Sequence, residues 1–150
     1  MASGGRIVLA TALLIGSAAS GPAFSQERWE DIYSCGPSAG HSYIFSGGWA
    51  ADGISKGTIV LRRRGTAFDI QIGDATGGYF SATEDGARVI VREDEGALQA
   101  LVFYPRTTIE TYLFSPPANG RTTLAWTSSK RSGIADRVSV FISSCTVRSS

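Results

Sequence analysis

Apolar and polar residues alternate along most of the chain from residue 42 onward. The clearest segment is 66–73, in which Phe68, Ile70 and Ile72 alternate with polar residues. A period of two is typical of β-strands, because successive side chains of a strand point to opposite faces. Similar segments occur at 42–45, 58–62, 79–82, 87–92, 98–104, 108–114, 122–127 and 137–143.

Short turn-forming sequences separate these segments. Pairs such as Asp85-Gly86 and Asn119-Gly120 suit type I′ hairpin turns, in which both central residues need positive φ. Because short connections force consecutive strands to run antiparallel, the pattern predicts an all-β, up-and-down meander of about eight strands. An open sheet would leave two unprotected edges, so we expect a small closed or partly open barrel, with a β-sandwich as the alternative. At most one turn of helix is expected, around 26–33.

Several predicted strands are apolar on both faces. Leu101 and Phe103, for example, point away from Ala100 and Val102. A barrel in water needs only one apolar face. The second set could cover another hydrophobic layer, contact a partner, or consist of ordinary scattered surface residues.

The N-terminus has the order of a secretory signal peptide. Arg6 precedes an uncharged apolar run, and the small residues Ala23 and Ser25 follow at the spacing of a cleavage site before Gln26, with cuts after Ala19 or Ala23 as alternatives. The run is shorter than the roughly 20 apolar residues that cross a bilayer, so no stable membrane span is expected after its removal. We therefore predict a signal peptide at 1–25, one β domain at 26–150, and a periplasmic or secreted location.

The only two cysteines, Cys35 and Cys145, lie near the two ends of the predicted mature chain. In an oxidising compartment two such thiols most often pair. A redox-active pair is the competing interpretation, and it has less support because there is no Cys-x-x-Cys spacing. We predict a structural disulfide that joins the start of the domain to its end.

The charge balance gives no case for a nucleic acid partner. The chain has 14 Lys and Arg residues against 13 Asp and Glu residues, so it carries no strong overall field. In the one basic run, Arg62 and Arg64 share a strand face while Arg63 points away, so the run is not a single patch. Single-stranded nucleic acid binding would also need stacking aromatics on that face.

Two polar positions invite a chemical interpretation. His41, the only histidine, lies beside Ser42 and suggests a general base, but no G-x-S-x-G motif or other catalytic signature accompanies it. Asp74 opens a loop that looks superficially like a phosphate or metal loop, yet a strand follows it instead of a helix. We expect Asp74 to cap backbone amides of a turn, and we assign no catalytic residue, metal or cofactor.

Short segments spread over nearly the whole predicted mature chain form one further pattern: Cys35, GHSY at 40–43, Trp49, DGIS at 52–55, FDI at 68–70, DATG at 74–77, ETY at 110–112, WTSSK at 126–130, and Cys145. This pattern resembles a group of small exported bacterial proteins with no assigned function, which implies a bacterial envelope or secreted protein. An N-to-C disulfide on a small barrel is also similar in outline to periplasmic lysozyme-inhibitor barrels, in architecture only. Five residues remain as possible functional positions: His41, Trp49, Asp52, Asp74 and Trp126.

Three functional hypotheses follow. The first is a non-enzymatic binding or interaction module of the bacterial envelope, with an envelope protein or a small ligand as the unknown partner, because binding residues concentrate on loops held by a rigid scaffold. The second is a small periplasmic hydrolase that uses His41 with an adjacent serine or carboxylate. The third is a structural envelope protein.

Overall fold

The computed structural model describes Met1 and residues 27–74, 76–106, 108–131 and 136–148, so the rest of the predicted signal segment lies outside the described residues. Ten β-strands and no helix occur in these ranges. The described residues therefore contain no helix that could span a membrane. The strands are β1 (Glu30–Ile44), β2 (Gly48–Ile54), β3 (Thr58–Arg64), β4 (Ala67–Gly73), β5 (Tyr79–Ser81), β6 (Arg88–Asp94), β7 (Ala97–Phe103), β8 (Thr108–Phe114), β9 (Arg121–Lys130) and β10 (Arg137–Val147).

All ten strands belong to one antiparallel sheet, with the order β5-β4-β3-β1-β10-β9-β8-β7-β6 and with β2 also on β1. The first part of β1 pairs with β3 and its second part pairs with β2. Strands β2 and β3 therefore act as one bent strand on one side of β1, while β10 returns to its other side. The curled sheet ends at β5 on one side and at β6 on the other, and these two strands are not hydrogen-bonded to each other. The barrel is therefore partly open. The predicted all-β, antiparallel meander is confirmed.

The strand count exceeds the expected eight because β2 lies outside every segment predicted from the sequence, as does most of β1, whose sequence looks like a loop. The ladder with β10 shifts register between Cys35 and Ser38, which accommodates Gly36 and Pro37 in a bulge. Gly40 lies where the two backbones approach closely, since a Cβ there would overlap the carbonyl oxygen of Val140. The helical turn expected around 26–33 is wrong for residues 30–33, which open β1.

The turns follow the predicted chemistry in part. Asn119 and Gly120 have φ values of 52° and 71°, as a type I′ turn requires. Glu95 and Gly96 have φ values of 49° and 79° and form a second turn of this kind. The type I′ turn expected at Asp85-Gly86 is wrong, because only the glycine has positive φ there. That connection is a wider loop, in which the Ala87 N–H donates to the Ala82 carbonyl at 2.8 Å.

The core fills the end of the barrel at which β1 begins and β10 ends. Cys35 and Cys145 lie directly opposite each other in the β1–β10 ladder and form the predicted disulfide across 110 positions. Tyr33 stacks on Phe114 with ring centroids 4.8 Å apart. Around them lie other buried apolar residues, among them Ile59, Leu61, Ile70, Leu98, Ala100, Val102 and Leu124.

Several strands are apolar on both faces, as their sequences predict. Leu98, Ala100 and Val102 are buried inside, whereas Phe103 of the same strand is 39% exposed. Further exposed apolar residues on the outer surface are Tyr43, Trp49, Ile109, Leu113, Val138, Val140 and Ile142. The inner face therefore holds the core, and the outer face carries a second set of apolar side chains in contact with solvent.

A buried ion pair joins β3, β4 and β5 at the open side of the barrel. Asp69 is fully buried, and its Oδ2 accepts hydrogen bonds from Arg62 Nε at 2.8 Å and from the Ser81 hydroxyl at 2.9 Å. Its Oδ1 accepts the backbone N–H of Thr83 at 2.9 Å. The shared face predicted for Arg62 and Arg64 is confirmed, because both guanidinium groups lie over the ring of Trp29.

Candidate functional site

A cavity of about 740 Å³ opens on the inner face of the barrel, near Arg137 at the start of β10 and away from Cys145 near its end. Small-molecule sites typically measure ~300–1,000 Å³, so the volume is that of a ligand site. Its lining includes Asp52, Ile54, Ile72, Phe80, Asp85, Tyr104, Arg106, Thr108, Glu110, Trp126, Ser128, Lys130, Arg137, Ser139 and Phe141.

The inner wall formed by β8, β9 and β10 carries three rows of side chains, each of which runs across the three strands. Residues opposite each other in the ladders share a face, and the next residues on that face lie two positions along each strand. The rows are the aromatic row (Tyr112, Trp126, Phe141), the polar row (Glu110, Ser128, Ser139) and the mouth row (Thr108, Lys130, Arg137). The wall therefore changes from apolar to polar to cationic toward the opening.

Two members of the aromatic row, Trp126 and Phe141, line the floor of the cavity, and Tyr112 is fully buried behind them. The ring of Trp126 stacks on Tyr112 with centroids 5.7 Å apart and lies 4.6 Å from the Phe141 centroid. Trp126 is 8% exposed, and its indole N–H has no acceptor among the described residues. Buried indole N–H groups usually have a hydrogen-bond partner. Trp126 lines the cavity, and its indole nitrogen lies just beneath the surface of the wall, without an acceptor.

The polar row contains a buried carboxyl group. Glu110 is 8% exposed, and its Oε2 accepts hydrogen bonds from the phenol of Tyr112 at 2.6 Å and from that of Tyr104 at 3.2 Å. Burial raises the pKa of Glu110, and hydrogen bonds from Tyr112, Ser128 and Tyr104 oppose that rise. Burial also raises the pKa of both tyrosines, so their phenols remain donors to the carboxyl group.

This buried carboxyl group should make stability depend on pH. Because the pKa of Glu110 is raised above 4.5 in the folded chain, the folded state binds more protons than the unfolded state from pH 4.5 upward. The free energy of unfolding therefore falls as pH rises through that window. In Glu110→Gln this contribution should be absent, so the variant should gain stability relative to the natural chain as pH rises above 4.5. Urea denaturation across this range measures the difference, and a difference that does not change with pH would contradict the assignment.

Asp52 lies at the end of β2 and connects that strand to the mouth of the cavity. Its carboxylate accepts the Ser42 hydroxyl at 2.6 Å and the backbone N–H of Gly53 at 2.8 Å. The Ser42 hydroxyl also lies 2.6 Å from that of Ser139. Arg137 Nη1 is 3.7 Å from Asp52 Oδ2, so Asp52 holds both the serine pair and one cation of the mouth row.

The mouth row places two cations side by side. Lys130 and Arg137 are directly opposite in the β9–β10 ladder, and both line the cavity. Arg137 Nε is buried and has no partner among the described residues. The ammonium of Lys130 has no carboxylate of the described residues within ion-pair distance.

Of the five positions predicted from sequence, Asp52 and Trp126 line the cavity. His41 does not, because it is exposed on the outer face of β1, opposite Ala51 and Val140. Trp49 is 70% exposed on the same outer face.

Asp74 lies in the loop between β4 and β5, away from the cavity lining. Its Oδ1 accepts the backbone N–H of Thr76 at 2.8 Å and that of Gly78 at 2.9 Å. Hydrogen bonds from the Thr76 side chain and from these amides lower the pKa of Asp74. The predicted turn cap is confirmed.

Sequence reasoning missed Glu110, Ser128, Lys130, Ser139 and Arg137. Their signal is the change from apolar to polar residues at alternate positions near one end of β8, β9 and β10. Each change alone is typical of a solvated strand end. The site emerges only when the ladder register places the three polar ends side by side.

The cavity offers a stacked aromatic floor, hydroxyl groups and paired cations. Among the described residues, no three His, Cys, Asp or Glu side chains lie close enough together to hold a metal ion.

No protein-family model, curated protein or solved structure matches the chain.

Proposed function

We propose that the chain is a non-enzymatic binding module that takes a small organic molecule into the mouth of its half-barrel. The observation that carries this proposal is the buried indole N–H of Trp126, which lacks an acceptor in the wall of a ligand-sized cavity. A flat apolar body would pack on the aromatic row, where ring faces favour stacked contacts. An acceptor atom on that body would satisfy the indole.

The hydrolase hypothesis has weaker support. Its base, His41, is exposed on the outer face, and no hydrogen bond joins its ring to a described hydroxyl or carboxylate. A general base must lie within hydrogen-bond reach of the group that it activates. The structural hypothesis draws on the exposed apolar residues of the outer face and explains nothing about the cavity.

We further propose that the protein works outside the cytoplasm, in the periplasm or as a secreted protein. The Cys35–Cys145 disulfide suits an oxidising compartment, because cytosolic thiols are kept reduced. The predicted signal segment at 1–25 agrees with this. N-terminal sequencing of the protein recovered from the periplasm of a bacterial host tests it, with cleavage expected just before Gln26 and retention of Met1 as the contrary result.

A larger side chain that fills the cavity should weaken ligand binding. The probe is the neutral dye N-phenyl-1-naphthylamine, whose emission rises in an apolar site. We expect saturable binding to the natural chain and a loss of about tenfold or more in affinity for Ser128→Leu, because residue 128 is buried and lies on the cavity wall. The matched control is Ser129→Leu, the same change on the neighbouring, exposed outer position.

Two outcomes would contradict the proposal: no binding to the natural chain, or equal weakening by Ser128→Leu and Ser129→Leu. Melting curves confirm that each variant is folded. If Ser128→Leu does not fold, Thr108→Phe at the half-buried rim of the cavity replaces it and carries the same expectation.

A further inference from the structure

The mouth row places two cations side by side, and of the two only Arg137 has a described carboxylate within ion-pair distance. Lys130 and Arg137 face each other across the β9–β10 ladder, and like charges at directly opposite positions destabilise a sheet. Asp52 lies 3.7 Å from Arg137 and offsets part of one charge. The ammonium of Lys130 has no described carboxylate within ion-pair distance. A negative charge placed between the two side chains would remove the repulsion.

The carboxyl groups of the cavity are already engaged by the protein. Asp52 accepts from Ser42 and Gly53, and Glu110 accepts from Tyr104 and Tyr112. At the rim, Asp85 and Arg106 add one charge of each sign. The unpartnered polar atoms of the residues that line the cavity are both donors, the indole N–H of Trp126 and Nε of Arg137, and both lie just beneath the surface of the wall. Unpaired donors favour a ligand rich in acceptors, and a cationic ligand would have to face the mouth row.

We propose that the ligand is an amphipathic organic anion, held by its anionic group between Lys130 and Arg137 and by a flat apolar body on the aromatic row, with an acceptor atom on the Trp126 indole. This inference rests on the proposed function and adds the ligand class. Lys130 lies four positions beyond Trp126 on the same face of β9. At ~3.3 Å per residue, the anionic group and the acceptor are therefore separated by up to about 13 Å. That length suits an aromatic or other planar acid of two or three fused or linked rings.

A pair of dyes with the same body separates the inference from the function on which it rests. N-phenyl-1-naphthylamine is neutral, and 8-anilino-1-naphthalenesulfonate is the same molecule with one sulfonate added. We expect the natural chain to bind the sulfonate at least about tenfold more tightly. In Lys130→Gln/Arg137→Gln this preference, taken as the ratio of the two affinities in the same variant, should fall to about onefold.

The matched control is Arg92→Gln/Arg121→Gln, which removes the same charge from exposed positions that do not line the cavity. It should keep the preference for the sulfonate, since solvent and salt screen distant surface charges. An equal loss of preference in both double variants would overturn the inference in favour of a general charge effect. Equal binding of the two dyes by the natural chain would overturn it while leaving the proposed function intact. Failure of both dyes to bind would overturn both.

Competition then identifies the anionic group. Displacement of the bound sulfonate dye by 2-naphthoate points to a carboxylate ligand, and displacement by 2-naphthyl phosphate points to a phosphate ligand. Either result supports an organic anion. Displacement by neither, at concentrations at which neutral 2-naphthol displaces the dye, would contradict it.

Discussion

Replacing Asp69 with alanine should lower the free energy of unfolding by about 3–5 kcal/mol, because it leaves the mostly buried Arg62 guanidinium with only the exposed Glu84 carboxylate, 4.0 Å away, as a counter-charge. The Arg62 side chain is only 13% exposed, and its Nη2 lies 2.7 Å from Asp69 Oδ2. The same substitution removes the acceptor for Ser81 and for the Thr83 amide. Since these contacts join β3, β4 and β5 at the open side of the barrel, their loss should be felt as global destabilisation. Urea denaturation monitored by tryptophan fluorescence measures it.

The matched control is the exposed pair of Arg63 and Glu30, whose nearest charged atoms are 3.5 Å apart. Glu30→Ala should change the stability by at most about 1 kcal/mol, because exposed ion pairs contribute little. Replacing Arg62 and Asp69 together by Met and Leu should recover much of the loss, since apolar pairs often substitute for buried ion pairs. A loss below about 1 kcal/mol in Asp69→Ala would show that the pair does not hold this edge of the sheet.

Removal of the disulfide should cost about 2–5 kcal/mol of unfolding free energy. The bridge closes a loop of 110 positions and joins β1 to β10, the first and last of the described strands. The substitution is Cys35→Ser/Cys145→Ser, which leaves no free thiol among the two cysteines of the chain. Denaturation of the natural protein with and without reductant gives the same comparison without a mutation. Identical midpoints in the two buffers would contradict the structural role of the bridge.

The strands were predictable where one face had to be apolar. β4 and β7 to β10 follow from the alternation of residue types, and the turn at Asn119-Gly120 follows from residues that tolerate positive φ. β1 was largely hidden, because Gly36, Pro37 and Gly40 are typical of loops. Here they serve a bulge and a close backbone approach, which depend on the position of β10, a strand that begins almost a hundred residues later.

The site was predictable only in part, since it depends on which face of each strand turns inward. Trp126 and Asp52 stood out by residue type or by their place in a pattern of segments, and both line the cavity. His41 stood out as the only histidine. Its neighbour Ser42 is buried, and because successive side chains of a strand point to opposite faces, the His41 ring lies on the outer face. The pairing of Lys130 with Arg137 requires the β9–β10 register, and residue type does not reveal it.

The most direct test of a ligand site at the mouth is the indole region of a ¹H–¹⁵N correlation spectrum, where the three tryptophans of the chain give one N–H signal each. Trp126→Phe assigns the signal of interest, and 8-anilino-1-naphthalenesulfonate is the titrant. The account predicts that the Trp126 signal shifts progressively and saturably, because its buried indole N–H gains an acceptor in the cavity, while the signals of Trp29 and Trp49 stay in place. A stationary Trp126 signal alongside a moving signal from the exposed Trp49 would place the dye on the outer face and contradict the account.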